Sequence, residues 1–193
     1  MAFINEYKIL LINYFYYIDD INKAYLLILL IFFSIIILSI PIPGSFVVAI
    51  NASFFGIAGF LISFISALIS SILIYFFYSK LPYNFKPKEI QKIAKYKNNL
   101  YLLTILRSII PFPVGTYIYV ILKIKFKYFI LSTALGIIPG TLSITLMFSS
   151  IKKSLIERGD ISFFIFNDPL FIFSLVFVFT VIFISSILKK KFL

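Results

Sequence analysis

The chain has 193 residues, 62% of them apolar and 13% charged, with a formal net charge of +11 and a mean hydropathy of +1.08. This composition excludes a soluble domain, which needs a more highly charged surface, and predicts an all-α integral membrane protein. The basic residues lie in short segments between apolar runs, where they orient a chain and meet anionic headgroups. The charge therefore predicts a membrane topology and no nucleic-acid partner.

The N-terminal half begins with a mixed, moderately apolar arm, residues 1–23, which is compatible with an interfacial helix. Residues 24–79 contain no charged side chain, and as one helix they would be about 84 Å long, nearly three times a hydrocarbon core. Pro41 and Pro43 end a helix here, because proline removes a donor and disfavours helical geometry before it. The sequence therefore predicts a span at 24–40, a re-entrant hairpin over 41–58 and a second span at 59–79.

The second half begins with a basic segment, residues 80–99, where we expect an amphipathic helix on the cytoplasmic membrane surface. The next apolar stretch, 100–122, is interrupted by Pro111 and Pro113 and carries a single charge, Arg107. The remaining elements are a span at 128–151, a loop at 152–168, a span at 169–188 and a basic tail at 189–193. The whole of residues 24–188 is thus read as one membrane domain.

The positions of lysine determine how residues 100–122 meet the membrane. Six lysines precede this stretch between residues 80 and 97, three follow it between 123 and 127, and three end the chain. All of these lysines lie on one face only if the stretch enters from the cytoplasm and returns. The sequence therefore predicts a second re-entrant hairpin and cytoplasmic N- and C-termini, in a plasma membrane such as a bacterial inner membrane. The first span then runs outward and the span at 59–79 returns.

The predicted layout contains one unit twice, in opposite orientation. Each unit is a Pro-x-Pro hairpin followed by a span, with Pro41 and Pro43 in the first and Pro111 and Pro113 in the second. Inverted repeats with broken helices at corresponding positions indicate a transport site near the midplane, because irregular backbone is tolerated there only beside protein or a cavity. The alternative is that proline pairs recur by chance near loops.

An ordered set of motifs between residues 39 and 150 resembles the VTT domain of the DedA superfamily and the SNARE-associated Golgi protein family. The motifs are Pro43-Gly44-Ser45, Phe54-Phe55-Gly56 and Gly59 in the first unit, and Arg107, Pro111-Phe-Pro113, Tyr117 and Gly136-Ile-Ile-Pro139-Gly140-Thr141 in the second. Within that superfamily the chain is most similar to the Golgi-vesicle-type branch. The resemblance implies two opposed re-entrant hairpins with flanking spans, and roles in membrane homeostasis, lipid scrambling or recycling of a polyprenyl phosphate. DedA proper has acidic residues in the first hairpin, where this chain has only Asn51, so we do not expect proton-coupled transport.

The candidate site is centred on Arg107, the one ionisable residue predicted at depth, where a charge indicates function by default. Its paired donors suit a lipid phosphate, whereas the alternatives are snorkelling or bonding to hairpin carbonyls. The substrate-binding candidates are Arg107, Ser45, Asn51, Tyr117 and Thr141. The structural hairpin breakers are Pro41, Pro43, Gly44, Pro111, Pro113, Gly136, Pro139 and Gly140.

Catalysis is not expected, since the sequence has no His, no Cys, no paired carboxylates and no phosphate-cradling loop. For the same reason we expect no metal and no cofactor. The expected function is transport or scrambling of a lipid or lipid-linked phosphate, with membrane lipids as partners and with homo-oligomers left open. The alternatives are a small-solute or ion transporter, and a structural or assembly protein that transports nothing.

Overall fold

The computed structural model of the chain describes residues 22–40, 42–80, 97–158, 169, 171–176, 179–180 and 183. These residues form helices joined by turns, which confirms the all-α prediction. The elements up to residue 158 are α1 (Lys23–Leu38), α2 (Ser45–Phe55), the 3₁₀ turn Gly56–Ala58, α3 (Gly59–Tyr78), α4 (Leu100–Ile109), α5 (Phe112–Ile121) and α6 (Phe126–Arg158).

Some of the predicted features lie outside the described residues. They are the arm up to residue 21, Pro41, most of the basic segment 80–99, most of the span at 169–188 and the tail 189–193.

Within the part of the chain that the structure describes, two helical segments are long and apolar enough to cross a membrane, Ser45–Tyr78 and Phe126–Ser154. The chain reverses within the first of them at Gly56, whose φ of 59° lies in the left-handed region that favours glycine. Its crossing part is therefore α3, which has 20 residues and is about 30 Å long, the thickness of a hydrocarbon core.

Helices α2 and α3 form a close antiparallel pair after this reversal. A Cβ atom built on Gly59 would lie 2.4 Å from the carbonyl oxygen of Asn51, so only glycine permits this approach. Asn51 is fully buried and donates to the hydroxyls of Ser34 in α1 (3.1 Å) and Ser63 in α3 (3.0 Å). One amide therefore ties together the first three helices.

Helix α1 runs parallel to α3, which corrects the predicted topology of the first unit. Ser34 is linked through Asn51 to Ser63, and five residues further along α1 the Ser39 hydroxyl lies 3.1 Å from that of Ser70. Two parallel neighbours do not cross a membrane in opposite directions, so the predicted outward span at 24–40 and returning span at 59–79 are wrong as a pair. The α1–α2 hairpin turns between Leu38 and Ser45, and α1 is one of its arms.

The second unit also begins with a pair of antiparallel helices. Asn99 caps α4 by accepting from the Leu102 N–H, and α4 ends at Ile109, after which the backbone of Ile110 is extended before Pro111. Helix α5 returns antiparallel to α4, since the Tyr119 hydroxyl donates to the Leu103 carbonyl near the start of α4. The α4–α5 hairpin covers the predicted residues 100–122.

The two units pack against each other through α3 and α6. Tyr75, near the end of α3, contacts the rings of Phe126 and Phe129 at the start of α6. Ala67, in the middle of α3, shares a buried cluster with Ile137 further along α6. The helices α3 and α6 are therefore antiparallel.

The turns of the two hairpins lie against each other. A Cβ atom built on Gly44 would lie 3.7 Å from the Cβ of Phe112, so the first turn of α5 lies against the residue that precedes α2. The short helices α2 and α5 thus begin close to each other.

Three of the predicted breakers lie in a continuous helix, which corrects their assignment. Helix α6 continues through Gly136, Pro139 and Gly140 and also includes the first part of the predicted loop at 152–168. Proline is tolerated inside membrane helices where neighbouring groups compensate the freed backbone carbonyl. Pro113 is likewise not a break, because it lies in the first turn of α5, a position that favours proline.

Replacing the buried amide is a direct test of the first unit. Asn51→Ala removes the bonds to Ser34 and Ser63, and we expect it to lower the free energy of unfolding by about 1–2 kcal/mol, the upper range for bonds between membrane helices. Thermal unfolding of the purified protein in detergent measures this loss. Ser53→Ala is the matched control, since the Ser53 hydroxyl bonds only the Ala49 carbonyl of its own helix. Equal melting temperatures for the two variants would show that Asn51 does not join the helices.

Candidate functional site

A cavity of about 400 Å³ lies where the two hairpin turns and α6 come together, and we call it the Arg107 cavity. Its walls come from both units, which places it between them. The lining residues are Leu38, Pro43, Gly44, Ser45, Val48, Ser63, Ala67, Arg107, Ser108, Ile109, Ile110, Pro111, Phe112, Gly136, Ile137, Gly140, Thr141 and Ile144.

Arg107 is held in place by its own hairpin. Its side chain is only 2% exposed, and Nη1 donates to the Phe112 carbonyl (2.8 Å) while Nη2 donates to the Thr116 hydroxyl (2.6 Å). The guanidinium carbon lies 4.6 Å from the centre of the Phe112 ring, a cation–π distance. Thus the bonding to hairpin carbonyls that the sequence left open as an alternative is present.

These contacts do not use all the hydrogen-bond donors of the guanidinium. The group has five N–H donors, and two of them are used by Phe112 and Thr116. Nε is buried without a hydrogen-bond partner among the described residues. A buried donor without a partner is costly, so a ligand that accepts from Arg107 would gain from an existing deficit. The side chain can therefore fix the hairpin and bind an anion at the same time.

Two glycines make room for this side chain. A Cβ atom on Gly115 would lie 2.5 Å from Nη1 of Arg107, and one on Gly136 would lie 2.6 Å from its Cβ. Gly136 also brings α6 next to the backbone of Thr104 in α4. The sequence identified Gly136 as structural but gave Gly115 no role, and the close approach explains both.

The N-termini of both half-helices point to the same cavity. Helix α2 begins at Ser45 and helix α5 at Phe112, and both residues line it. Neither helix has a side-chain cap at this end. Because the first N–H groups of a helix lack partners and carry partial positive charge, such ends favour anions. Together with Arg107 they make the cavity a positively polarised site.

Three of the five substrate-binding candidates come together here. Arg107, Ser45 and Thr141 line the cavity, whereas Asn51 and Tyr117 do not. Asn51 is the buried link of the first unit. The breakers Pro43, Gly44, Pro111, Gly136 and Gly140 are also among the lining residues.

Tyr117 joins the two units at the edge of the site. Its hydroxyl donates to the Ser39 carbonyl at the end of α1 (2.9 Å), and its ring packs edge-on against Tyr78 of α3. The Ser39 carbonyl lies in the turn after α1, where the helix no longer supplies a partner. The side chain therefore makes a structural contact between the two units.

Tyr117→Phe removes this hydroxyl and leaves the ring. We expect it to reduce the free energy of unfolding by about 1 kcal/mol, as is typical of one interhelical hydrogen bond. Thermal unfolding in detergent is again the measurement, and Tyr101→Phe is the control because Tyr101 is 74% exposed. If both substitutions have the same effect, the bond to Ser39 does not stabilise the join between the units.

Sequence reasoning missed Thr116, Phe112 and Ser108. Thr116 both accepts from Arg107 and donates to the Phe112 carbonyl (2.9 Å), so it completes the support of the guanidinium. Ser108 lines the cavity next to Arg107. The spacing between Arg107 and Thr116 was available as a signal, because a hairpin that turns at Pro111 brings them opposite each other.

Comparison with known proteins adds one finding. The sequence profile of the VTT domain matches residues 42–150, which is more than half of the chain and includes both half-helices and Arg107. This match confirms the resemblance, and it does not distinguish the Golgi-vesicle-type branch. No curated protein and no solved structure matches the chain.

Proposed function

The chain belongs to the VTT domain family of membrane proteins, and on that premise we propose that it moves or scrambles a lipid or lipid-linked phosphate across the membrane. One observation carries the proposal. A buried arginine with an unpartnered Nε and two uncapped helix N-termini face one cavity. A phosphate needs several converging donors and a positive potential, and these groups supply both.

The surroundings of the cavity favour a lipid over a small solute. Several lining residues are exposed, namely Pro43, Ser45, Pro111 and Gly140, so the cavity opens at this surface. Large apolar side chains beside this opening are exposed as well, including Phe46 and Val114. In a bilayer such a surface faces hydrocarbon, so a headgroup would enter sideways while its chains stay in lipid.

The dimensions of the helices support re-entrant hairpins. Helices α4 and α5 have 10 residues each, about 15 Å, or half of a hydrocarbon core. Both are too short to cross, and their turn meets that of the α1–α2 hairpin. With α3 and α6 antiparallel, the two units then form an inverted repeat whose turns meet near the midplane, the place where transporters bind substrate.

In this mechanism the hairpins shorten the polar path across the bilayer. A headgroup leaves one leaflet, accepts hydrogen bonds from Arg107 and the N-terminus of α2, and continues to the other leaflet on the opposite side of the turns. Pairing a phosphate with a fixed positive site offsets part of its dehydration cost. The proposed location is the plasma membrane, and the proposed partners are its lipids.

Translocation in liposomes tests the proposal. The purified full-length protein is reconstituted with a trace of phosphatidylglycerol carrying a fluorophore on its chain, and dithionite is added outside. We expect bleaching of both leaflets, whereas protein-free liposomes lose only the outer signal. Bleaching of the outer leaflet alone by folded protein would reject lipid movement.

A second arm addresses the small-solute alternative. Liposomes loaded with inorganic phosphate retain it if the route serves headgroups attached to lipid. Release of phosphate without movement of lipid would favour the solute transporter. Movement of neither would favour the structural protein, in which Arg107 only fixes the hairpin.

A further inference from the structure

The charges around the Arg107 cavity distinguish one class of headgroup from another. Among the described residues that line it, Arg107 is the only charged one, and there is no Asp or Glu. The sequence has few carboxylates to add, since between Lys23 and Glu157 the only acidic residue is Glu89. The site therefore has positive groups and lacks a counter-charge for a cation.

Aromatic rings do not supply that missing counter-charge. Phe112 is the one aromatic side chain among the lining residues described by the structure, and the face of its ring is already covered by the Arg107 guanidinium at 4.6 Å. A quaternary ammonium is bound by several free aromatic faces. No such cage is available in this cavity.

From this we infer that the Arg107 cavity selects a phosphate headgroup that carries no ammonium and discriminates against zwitterionic headgroups. The inference rests on the proposed function, because it concerns the same Arg107 cavity. An anionic phosphate gains the donors of Arg107 and the N-termini of α2 and α5. A zwitterionic headgroup gains the same contacts but places a cation beside a like charge with no acceptor for it.

Binding tests the selectivity separately from transport. The full chain in detergent is titrated with dioctanoyl phosphatidylglycerol, dioctanoyl phosphatidylcholine or inorganic phosphate, and its melting temperature is followed, because a ligand that binds the folded state raises it. We expect binding of the choline lipid to be weaker by at least about tenfold, since like charges placed together oppose binding. Inorganic phosphate has the same phosphate group without acyl chains. The difference between its melting-temperature shift and that of phosphatidylglycerol therefore measures how much the rest of the lipid contributes to binding.

A substitution beside Arg107 gives a second readout. Ser108→Asp places a carboxylate in the cavity, where it pairs with Arg107 and accepts an ammonium. We expect it to weaken binding of phosphatidylglycerol and to strengthen binding of phosphatidylcholine. The preference for the anionic lipid would then be lost. Ser108→Asn has a similar size without the charge, and it should keep the wild-type preference whatever its affinity.

The outcomes separate this inference from the proposed function. Equal binding of the two lipids by the wild type, no binding of any anionic probe, or an unchanged preference in Ser108→Asp each overturns the selectivity. A clear preference without lipid movement in liposomes would leave the selectivity standing and reject the transport. If both lipids move at the same rate and bind equally, the proposed transport stands and the selectivity is rejected.

Discussion

Arg107→Ala is expected to reduce movement of the anionic lipid by about 10- to 100-fold, the value of one or two hydrogen bonds from a charged donor. Lipid movement should fall by more than the decrease in the melting temperature would explain. Thr116 still donates to the Phe112 carbonyl after the substitution, so the turn of the α4–α5 hairpin keeps one of its bonds. Dithionite bleaching in liposomes measures the movement, and thermal unfolding of the same preparation measures the stability.

Conservative substitutions separate binding from hairpin support. Arg107→Lys keeps the charge but lacks the planar fork, so it does not serve Phe112, Thr116 and a phosphate together. Arg107→Gln can bond within the hairpin but brings no charge. We expect movement to decrease in the order arginine, lysine, glutamine, alanine. A purely structural arginine predicts instead that movement follows the melting temperature alone.

A charge control excludes a general electrostatic effect. Lys153→Ala removes one positive charge from an exposed position near the end of α6, away from the cavity. This variant should move lipid at the wild-type rate. Wild-type movement by a folded Arg107→Ala protein would contradict the role given to Arg107, and a slow Lys153→Ala protein would shift the explanation to surface charge.

The second hairpin could be predicted from the sequence because charges mark both of its ends. Lysines precede and follow residues 100–122, and the proline pair places the turn between them. The structure has two 10-residue arms on either side of Pro111. Helix type and turn position are local properties, and here local signals were sufficient.

The first hairpin could not be placed in the same way. Residues 24–79 carry no charge, so nothing in the pattern shows how far each helix is shifted against the next. The parallel course of α1 and α3 depends on contacts between residues distant in sequence, such as Asn51 with Ser34 and Ser63. Serine and asparagine are common in apolar helices, and their partners become evident only in three dimensions.

The candidate site was partly predictable for a similar reason. A lone charge in an apolar stretch identified Arg107, and proline and glycine signals identified Pro43 and Gly44 as part of a turn between helices. Pro139 was wrongly assigned as a break, because the rule that proline ends a helix is relaxed inside membrane helices, where neighbouring groups compensate the freed backbone carbonyl. Tyr117 was predicted to bind substrate because its ring carries a polar group, and the structure shows its hydroxyl donating to the Ser39 carbonyl.

Gly136 and Gly140 of α6 lie one turn apart, and we expect alanine to lower the free energy of unfolding strongly at Gly136 and not at Gly140. Gly136→Ala puts a Cβ atom 2.6 Å from the Cβ of Arg107 and 2.9 Å from the Thr104 carbonyl oxygen. Neither atom is the far end of a flexible side chain, so α4 and α6 must separate. We expect a loss of about 3 kcal/mol of unfolding free energy, the upper part of the usual range for overpacking. Lipid movement should fall as well, because the shift displaces Arg107.

Gly140→Ala is the matched control, since a Cβ atom there meets nothing within 4 Å. Alanine favours a helix over glycine by about 1 kcal/mol, so this variant should be as stable as the wild type or more stable. Thermal unfolding of the two variants side by side measures the difference. If Gly136→Ala and Gly140→Ala have the same melting temperature, then α4 and α6 do not meet at Gly136. The position of Arg107 against α6 would then be wrong as well. If only Gly136→Ala is unstable, the contact between the hairpin arm and the long helix fixes the position of the guanidinium in the cavity.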